Sequence, residues 1–151
     1  MVYSGESNLQ RNRILNAMSN ADLALLQPHL GAVPLRFRQR LQSSNKTIRN
    51  VYFPESGIAS VVAVGGGECR QAEVAVVGRE GMTGLPVVHG TDRSPCEVFI
   101  QVKGAGHCIP AQKLRDAIDQ SITLLHCLLR YTHAFGIQAN YTACGISAAE
   151  R

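Results

Sequence analysis

Residues 77–102 read VGREGMTGLPVVHGTDRSPCEVFIQV, and the chemistry this chain could perform is concentrated there. Gly78, Gly81, Gly84 and Pro86 break any regular strand, and the stretch 81–85 can form a tight turn or one helical turn whose N–H groups point outward. Such a turn can hold an anion. Arg93 and Ser94 follow at the entry of the next strand, where a guanidinium fork and a hydroxyl can complete a cradle from the opposite side. The candidate anion or phosphate cassette is therefore Gly81, Met82, Thr83, Gly84, Arg93 and Ser94. Glycine turns beside a single arginine are also common, and Arg93 could equally satisfy turn carbonyls.

Other chemistries find less support. The five cysteines, Cys69, Cys96, Cys108, Cys127 and Cys144, are an odd number without a CxxC pair, so neither a disulfide framework nor a zinc site is expected. Cys127 and Cys144 fall on a long helix and read as small buried hydrophobes. His29, His89, His107, His126 and His133 form no HxH or HxxxH pair. His126 and His133 could share a helix face, but two ligands fall short of a metal site. No nucleophile is paired with a base, so no catalytic residue is assigned and an enzyme is not expected.

The formal net charge of +4 permits an anionic partner without naming one. Arg36, Arg38, Arg40, Lys46 and Arg49 lie in an acid-free run, and the first three share one side of the alternating segment 35–41 if that segment is a strand. That stripe could meet a nucleic-acid phosphate or simply be a solvated face opposite Leu35, Phe37 and Leu41.

The elements that must position these residues follow from periodicity. A chain of 151 residues suits one domain. No apolar run approaches the roughly 20 residues of a membrane span, and the polar start lacks a secretory signal, so a cytoplasmic protein with no membrane partner is expected. Residues 1–31 read as helices: Leu9, Ile14, Leu15 and Met18 have helical spacing, and Ser19 with Asp22 opens a second helix whose end Pro28 distorts. Over 32–109 the period becomes two, with strands predicted at 33–41, 48–53, 58–64 and 71–77, a turn at 65–68, and alternation from Cys96 to Lys103. The expected class is mainly β with flanking α, an antiparallel β-roll of the jelly-roll (double-stranded β-helix) type.

Residues 110–145 return to helix, first a short one after Pro110 and then a long one from near Ser121. Leu125, Leu128, Thr132, Phe135, Ala139 and Thr142 alternate three and four apart and form a stripe that suits a dimer helix. The stripe packs on the roll, or else Leu124, Leu128 and Tyr131 do so while the side with Phe135, Ala139 and Thr142 meets a second copy.

Three strings, VYFPESGIASVVAV (51–64), VVGREGMTGLPV (76–87) and DRSP (92–95), occur in an order and spacing that resemble the N-terminal cyclic-nucleotide-binding-like domain of the Crp/Fnr transcription regulators. The resemblance covers essentially the whole chain. It implies an effector-sensing and dimerisation domain, a homodimer formed through the C-terminal helix, and a phosphate held by Arg93 and Ser94. In cyclic-nucleotide binders of that family a Gly-Glu pair opens the cassette, and the Glu accepts from the ribose hydroxyl; this chain keeps Gly81 but has Met82 next. A thioether is a weak acceptor, and a hydrogen bond to a charged group is worth about 1.5–3 kcal/mol. The helix positions that meet the purine in the family match Gly136 and Ile137, neither of which offers a side-chain hydrogen bond. Tight cyclic AMP binding is therefore not expected. No cofactor is assigned with certainty; an unidentified small anionic or nucleotide effector is the candidate ligand.

In that family a winged helix-turn-helix follows the long helix and reads DNA. This sequence ends at what resembles the hinge, so contact with DNA is expected only through a C-terminal domain that is not part of it. The alternative is a free-standing anion-binding or protein-interaction module that does not act on DNA.

Overall fold

The computed structural model describes residues 11–65 and 71–149. Leu9 and the 66–68 part of the predicted glycine turn lie outside them. Asn12 starts helix α1 (Arg13–Ala17): its Oδ1 accepts from the N–H groups of Ile14 and Leu15, donors that a helix start otherwise leaves without partners. Ser19 does the same for α2 (Asn20–Leu26), accepting from the Asp22 N–H at 3.1 Å. The chain then tightens into a 3-10 turn, Gln27–His29, around Pro28.

Among the described residues seven strands follow: β1 (Gly31–Leu35), β2 (Arg40–Gln42), β3 (Asn50–Pro54), β4 (Ile58–Val64), β5 (Gln71–Val77), β6 (Cys96–Val102) and β7 (Gly104–Pro110). A four-residue helix, α3 (Leu85–Val88), lies between β5 and β6. All pairings are antiparallel. One sheet has the order β1-β7-β3 and the other β2-β6-β4-β5, giving the expected jelly-roll. Inside the roll, Leu35, Ala59, Val61, Ala75, Val77, Val98 and Ile100 form one apolar cluster. A second cluster joins the helices to the three-stranded sheet through Leu15, Leu26, Val51, Phe53, Ile109 and Leu114, all fully or almost fully buried.

The segment 33–41 is not one strand. β1 pairs with β7 and β2 with β6, so the chain must cross between sheets, and it does so in a turn at 36–39. Arg38 takes a left-handed φ of 65°, its N–H donates to the Ile100 carbonyl, and the Gln39 N–H donates to the Arg36 carbonyl. Phe37, which alternation placed inward, is 60% exposed. Arg36, Arg38 and Arg40 therefore do not share one strand face. The strand predicted from Ile48 starts later, at Asn50, because the Ile48 N–H is engaged by the Asp92 carbonyl of the loop before β6.

Helices α4 (Ala111–Gln120) and α5 (Ile122–Ala149) follow the last strand. Ser121 separates them, and its hydroxyl accepts from the Leu124 N–H and donates to Asp22. On α5, Leu124 and Leu128 are fully buried and Tyr131 and Phe135 pack on the clusters beneath, so the spacing four, three, four defines the face toward the roll. Leu128 and Phe135 of the proposed dimer stripe are thus used by their own chain, with Leu125 partly packed beside them. The hydroxyls of Thr132 and Thr142 donate to carbonyls of the same helix, and Ala139 is half-buried. The outward apolar residues are instead Ile122, Leu129, Ile137 and Tyr141. Among the described residues no helix is long and apolar enough to cross a membrane.

Candidate functional site

β5 ends at Val77, and the glycine turn begins at once. The Gly78 N–H donates to the Glu80 carboxylate at 3.0 Å, and the Gly81 N–H returns to the Gly78 carbonyl at 3.1 Å. Glu80 is therefore spent on its own turn. From the helical side, Asn12 holds the turn down: its Nδ2 donates to the carbonyls of Gly81 (2.9 Å) and Pro54 (2.7 Å), while its other end caps α1. Gly81 is packed so closely under α5 that a Cβ would collide with the Tyr131 hydroxyl. Burial pushes the Tyr131 phenol up to about 12, against a hydrogen bond with the Met82 backbone that lowers it.

Thr83 fastens the next step of the turn to β3. Its N–H donates to the Tyr52 carbonyl at 3.0 Å, and its Oγ1 accepts from the Tyr52 N–H at 3.1 Å. Gly84 has φ +73° and caps α3, and a Cβ there would lie 2.8 Å from Val51 Cγ2. On the far side, the Ser94 hydroxyl accepts from the Cys96 N–H at 3.1 Å, fixing the entry of β6.

Between these two rims a cavity of about 80 Å³ opens inside the roll. Met82, Thr83, Gly84 and Ser94 reach its wall, so four of the six cassette residues come together there. Gly81 lies behind them against Tyr131. Arg93 does not join them: its side chain is 62% exposed and sits 3.6 Å from the Asp92 carboxylate, so the expected cradle from the opposite side is made by the Ser94 hydroxyl without the guanidinium. Met82 is fully buried and belongs to the helix-side core as well as to the cavity wall.

Gly136 and Ile137 do not line the cavity, and Ile137 is 43% exposed. Each helical residue turns about 100°, so the positions after Phe135 rotate away from the roll. Phe135 itself reaches the cavity. The rest of the wall is largely aliphatic, with Val61, Val77 and Val98, and Gln42 lines it too while donating to the Cys96 carbonyl at 3.2 Å. The hydroxyls of Thr83 and Ser94 each keep a donor, and Gln42 keeps an acceptor, so a small polar group can be oriented there. At about 30 Å³ per water, 80 Å³ is far below the roughly 300 Å³ of the smallest usual ligand sites.

Asn12, Gln42, Tyr131 and Phe135 were not assigned to the site from sequence. Asn12 carried a signal, an Asn immediately before a helical run; Gln42 carried none. Of the helix cysteines, Cys127 packs partly on the core, where burial pushes its thiol up, whereas Cys144 is exposed rather than buried.

No family model matches the sequence, and no curated protein matches it. Solved structures do. A cyclic nucleotide-binding domain from Methylobacillus flagellatus aligns with TM-score 0.72 at 10% identity, over 96% of this chain and 85% of that one. The sensor domain of the transcriptional regulator DNR from Pseudomonas aeruginosa aligns with TM-score 0.67 at 13% identity, over 85% and 86%. The regulatory subunit of a cAMP-independent protein kinase A from Trypanosoma brucei aligns with TM-score 0.71 at 10% identity, over 95% and 50%. The chain spans about half the length of the kinase regulatory subunits it matches.

Proposed function

We propose that this chain, which has the cyclic-nucleotide-binding fold, is the effector-sensing and dimerisation half of a cytoplasmic Crp/Fnr-type transcription regulator that does not bind cyclic AMP tightly. The observation that carries this reading is Phe135. It extends from the long helix into a cavity whose rims are the glycine turn and Ser94, so an effector that fills this cavity meets a side chain of α5. Occupancy would thereby bias the helix that leads toward the rest of the regulator. DNA is reached through a winged helix-turn-helix outside this sequence.

Three features weigh against cyclic AMP. Met82 replaces the ribose acceptor and is buried, Arg93 is turned to Asp92, and Gly136 and Ile137 are off the cavity. The fold does not oblige a cyclic AMP response, since a kinase regulatory subunit that shares it is described as cAMP-independent.

A thermal-shift panel of cyclic AMP, cyclic GMP and inorganic phosphate tests the reading, run on the intact chain, on Phe135→Ala and on Arg93→Ala. A ligand at 100 times its Kd stabilises by about 2.7 kcal/mol. The intact chain should ignore cyclic AMP, and Phe135→Ala, whose larger cavity still carries Met82 and lacks Arg93, should respond to inorganic phosphate but not to cyclic AMP. A micromolar cyclic AMP response of the intact chain that vanishes in Arg93→Ala would restore the ordinary cassette. Silence of Phe135→Ala toward the whole panel would remove the sensing role.

A further inference from the structure

Positive charge also gathers outside the roll. A groove of about 440 Å³ runs along the segment from β2 to the start of β3 and shares Gln42 with the interior cavity. Arg40, Lys46 and Arg49 line it with the polar side chains of Ser43 and Thr47, and among the described residues no acidic side chain lines it. Arg40 is 3.9 Å from Glu97 and still largely exposed, so only one of the three cations is partly compensated. Three cations facing one concavity repel each other unless an anion sits between them, and a concave site concentrates their field.

The groove is preformed. Asn45 takes a left-handed φ of 58° at its loop, and three bonds tie that loop to the strand entry opposite: the Asn45 N–H to the Ser94 carbonyl (2.8 Å), the Ile48 N–H to the Asp92 carbonyl (2.8 Å), and the Ser44 hydroxyl to the Pro95 carbonyl (2.9 Å). Backbone already held in place costs little ordering on binding. Its volume falls in the range of small-molecule sites, about 300–1,000 Å³.

We infer that this groove is a second, external binding site for a small phosphorylated compound carrying at least two negative charges, with Lys46 and Arg49 as its principal ligands. The hydroxyls of Ser43 and Thr47 supply neutral donors to the same phosphate oxygens. A long polyanion fits less well. Arg36 and Arg38, which could extend the positive track, lie on the separate 36–39 turn outside the groove, and Arg38 sits over the Phe37 ring at 5.2 Å. The inference does not depend on the interior cavity being a sensor.

Titration calorimetry on the full chain with pyrophosphate, inorganic phosphate and a 20-base-pair DNA duplex decides it. Pyrophosphate should bind more tightly than phosphate, and its affinity should fall as NaCl rises from 50 to 200 mM. Lys46→Gln/Arg49→Gln should weaken pyrophosphate at least tenfold with no fall in melting temperature in its absence, since both side chains are exposed. Arg93→Ala should leave it unaltered. Absence of pyrophosphate binding at millimolar concentration, retention of affinity in the double variant, or loss only in Arg93→Ala would each overturn the site; the last would return the anion to the interior rim. Duplex binding tighter than pyrophosphate would overturn the ligand class in favour of nucleic acid.

Discussion

Gly81 is a packing residue before it is anything else. Its backbone is not left-handed, so Gly81→Ala adds only the collision with Tyr131, and overpacking of that kind costs about 1–3 kcal/mol. Tyr131→Phe in the same chain should return part of the loss by removing the hydroxyl; urea midpoints of the four chains measure it, and an unchanged Gly81→Ala midpoint would refute the contact. A second residue-scale test concerns Glu55, whose Oε1 is 2.5 Å from His107 Nδ1 without hydrogen-bond geometry, both side chains being 8% exposed. Burial raises the Glu55 carboxyl above its ordinary value of 4.5, against the opposing pull of His107 and Arg11. A raised carboxyl contributes stability that is complete below 4.5 and is lost as pH rises through the folded value. The intact chain should therefore lose ground to Glu55→Gln as pH climbs from 4 to 7 in urea titrations, and a pH-independent difference would contradict this. At this scale the sequence was readable where the chemistry is local: glycines, Thr83 and Ser94 stand at the rims because turns need them. The direction of Arg93 was not readable, because a surface guanidinium settles on whichever carboxylate is nearest, here its neighbour Asp92.

Between elements, one polar tie is the carboxylate of Asp22. It accepts from the Ser121 hydroxyl at 2.5 Å and the Thr123 hydroxyl at 2.7 Å, which binds α2 to the start of α5. The Ser121 bond holds the Asp22 carboxyl below its ordinary 3.8; burial opposes it and Thr123 adds to it. A lowered carboxyl gives stability present above 3.8 and lost as pH falls through the folded value. Asp22→Asn should cost about 1–3 kcal/mol at pH 7 and progressively less below pH 4, followed by circular dichroism during urea unfolding. A cost that persists undiminished at pH 2.5 would mean the charge is irrelevant. The motif around Ser19 was legible as a cap, but the second partner of Asp22 lies 99 residues on and left no local trace. Strands 58–64 and 71–77 are legible to their true ends because each is a valine-rich run that stops at a glycine, Gly65 and Gly78. The crossing at 36–39 was missed because Arg-Phe-Arg-Gln contains neither glycine nor proline and continues the alternation.

For the whole molecule, the long helix presents two different faces. Leu124, Leu128 and Phe135 belong to the roll, and what is left for a second copy is the outward line of Ile122, Leu129, Ile137 and Tyr141, of which Leu129 is 36% and Tyr141 75% exposed. If the chain pairs through α5, Leu129→Glu/Ile137→Glu should convert a dimer to a monomer in sedimentation velocity without lowering the melting temperature of the monomer; an intact chain that stays monomeric at high concentration would end the dimer proposal. The sheet order carries one more consequence. In β1-β7-β3 the last strand is the central one, so β1 and β3 have no ladder partner until residues 104–110 exist. Among the described strands β4 and β5 are the one paired couple consecutive in sequence, and the others wait for distant partners, an arrangement that slows folding into the millisecond-to-second range. On a ribosome, a nascent chain ending before Gly104 should be digested readily by protease, and protection should appear abruptly once β7 has emerged, because one strand closes two edges at the same moment.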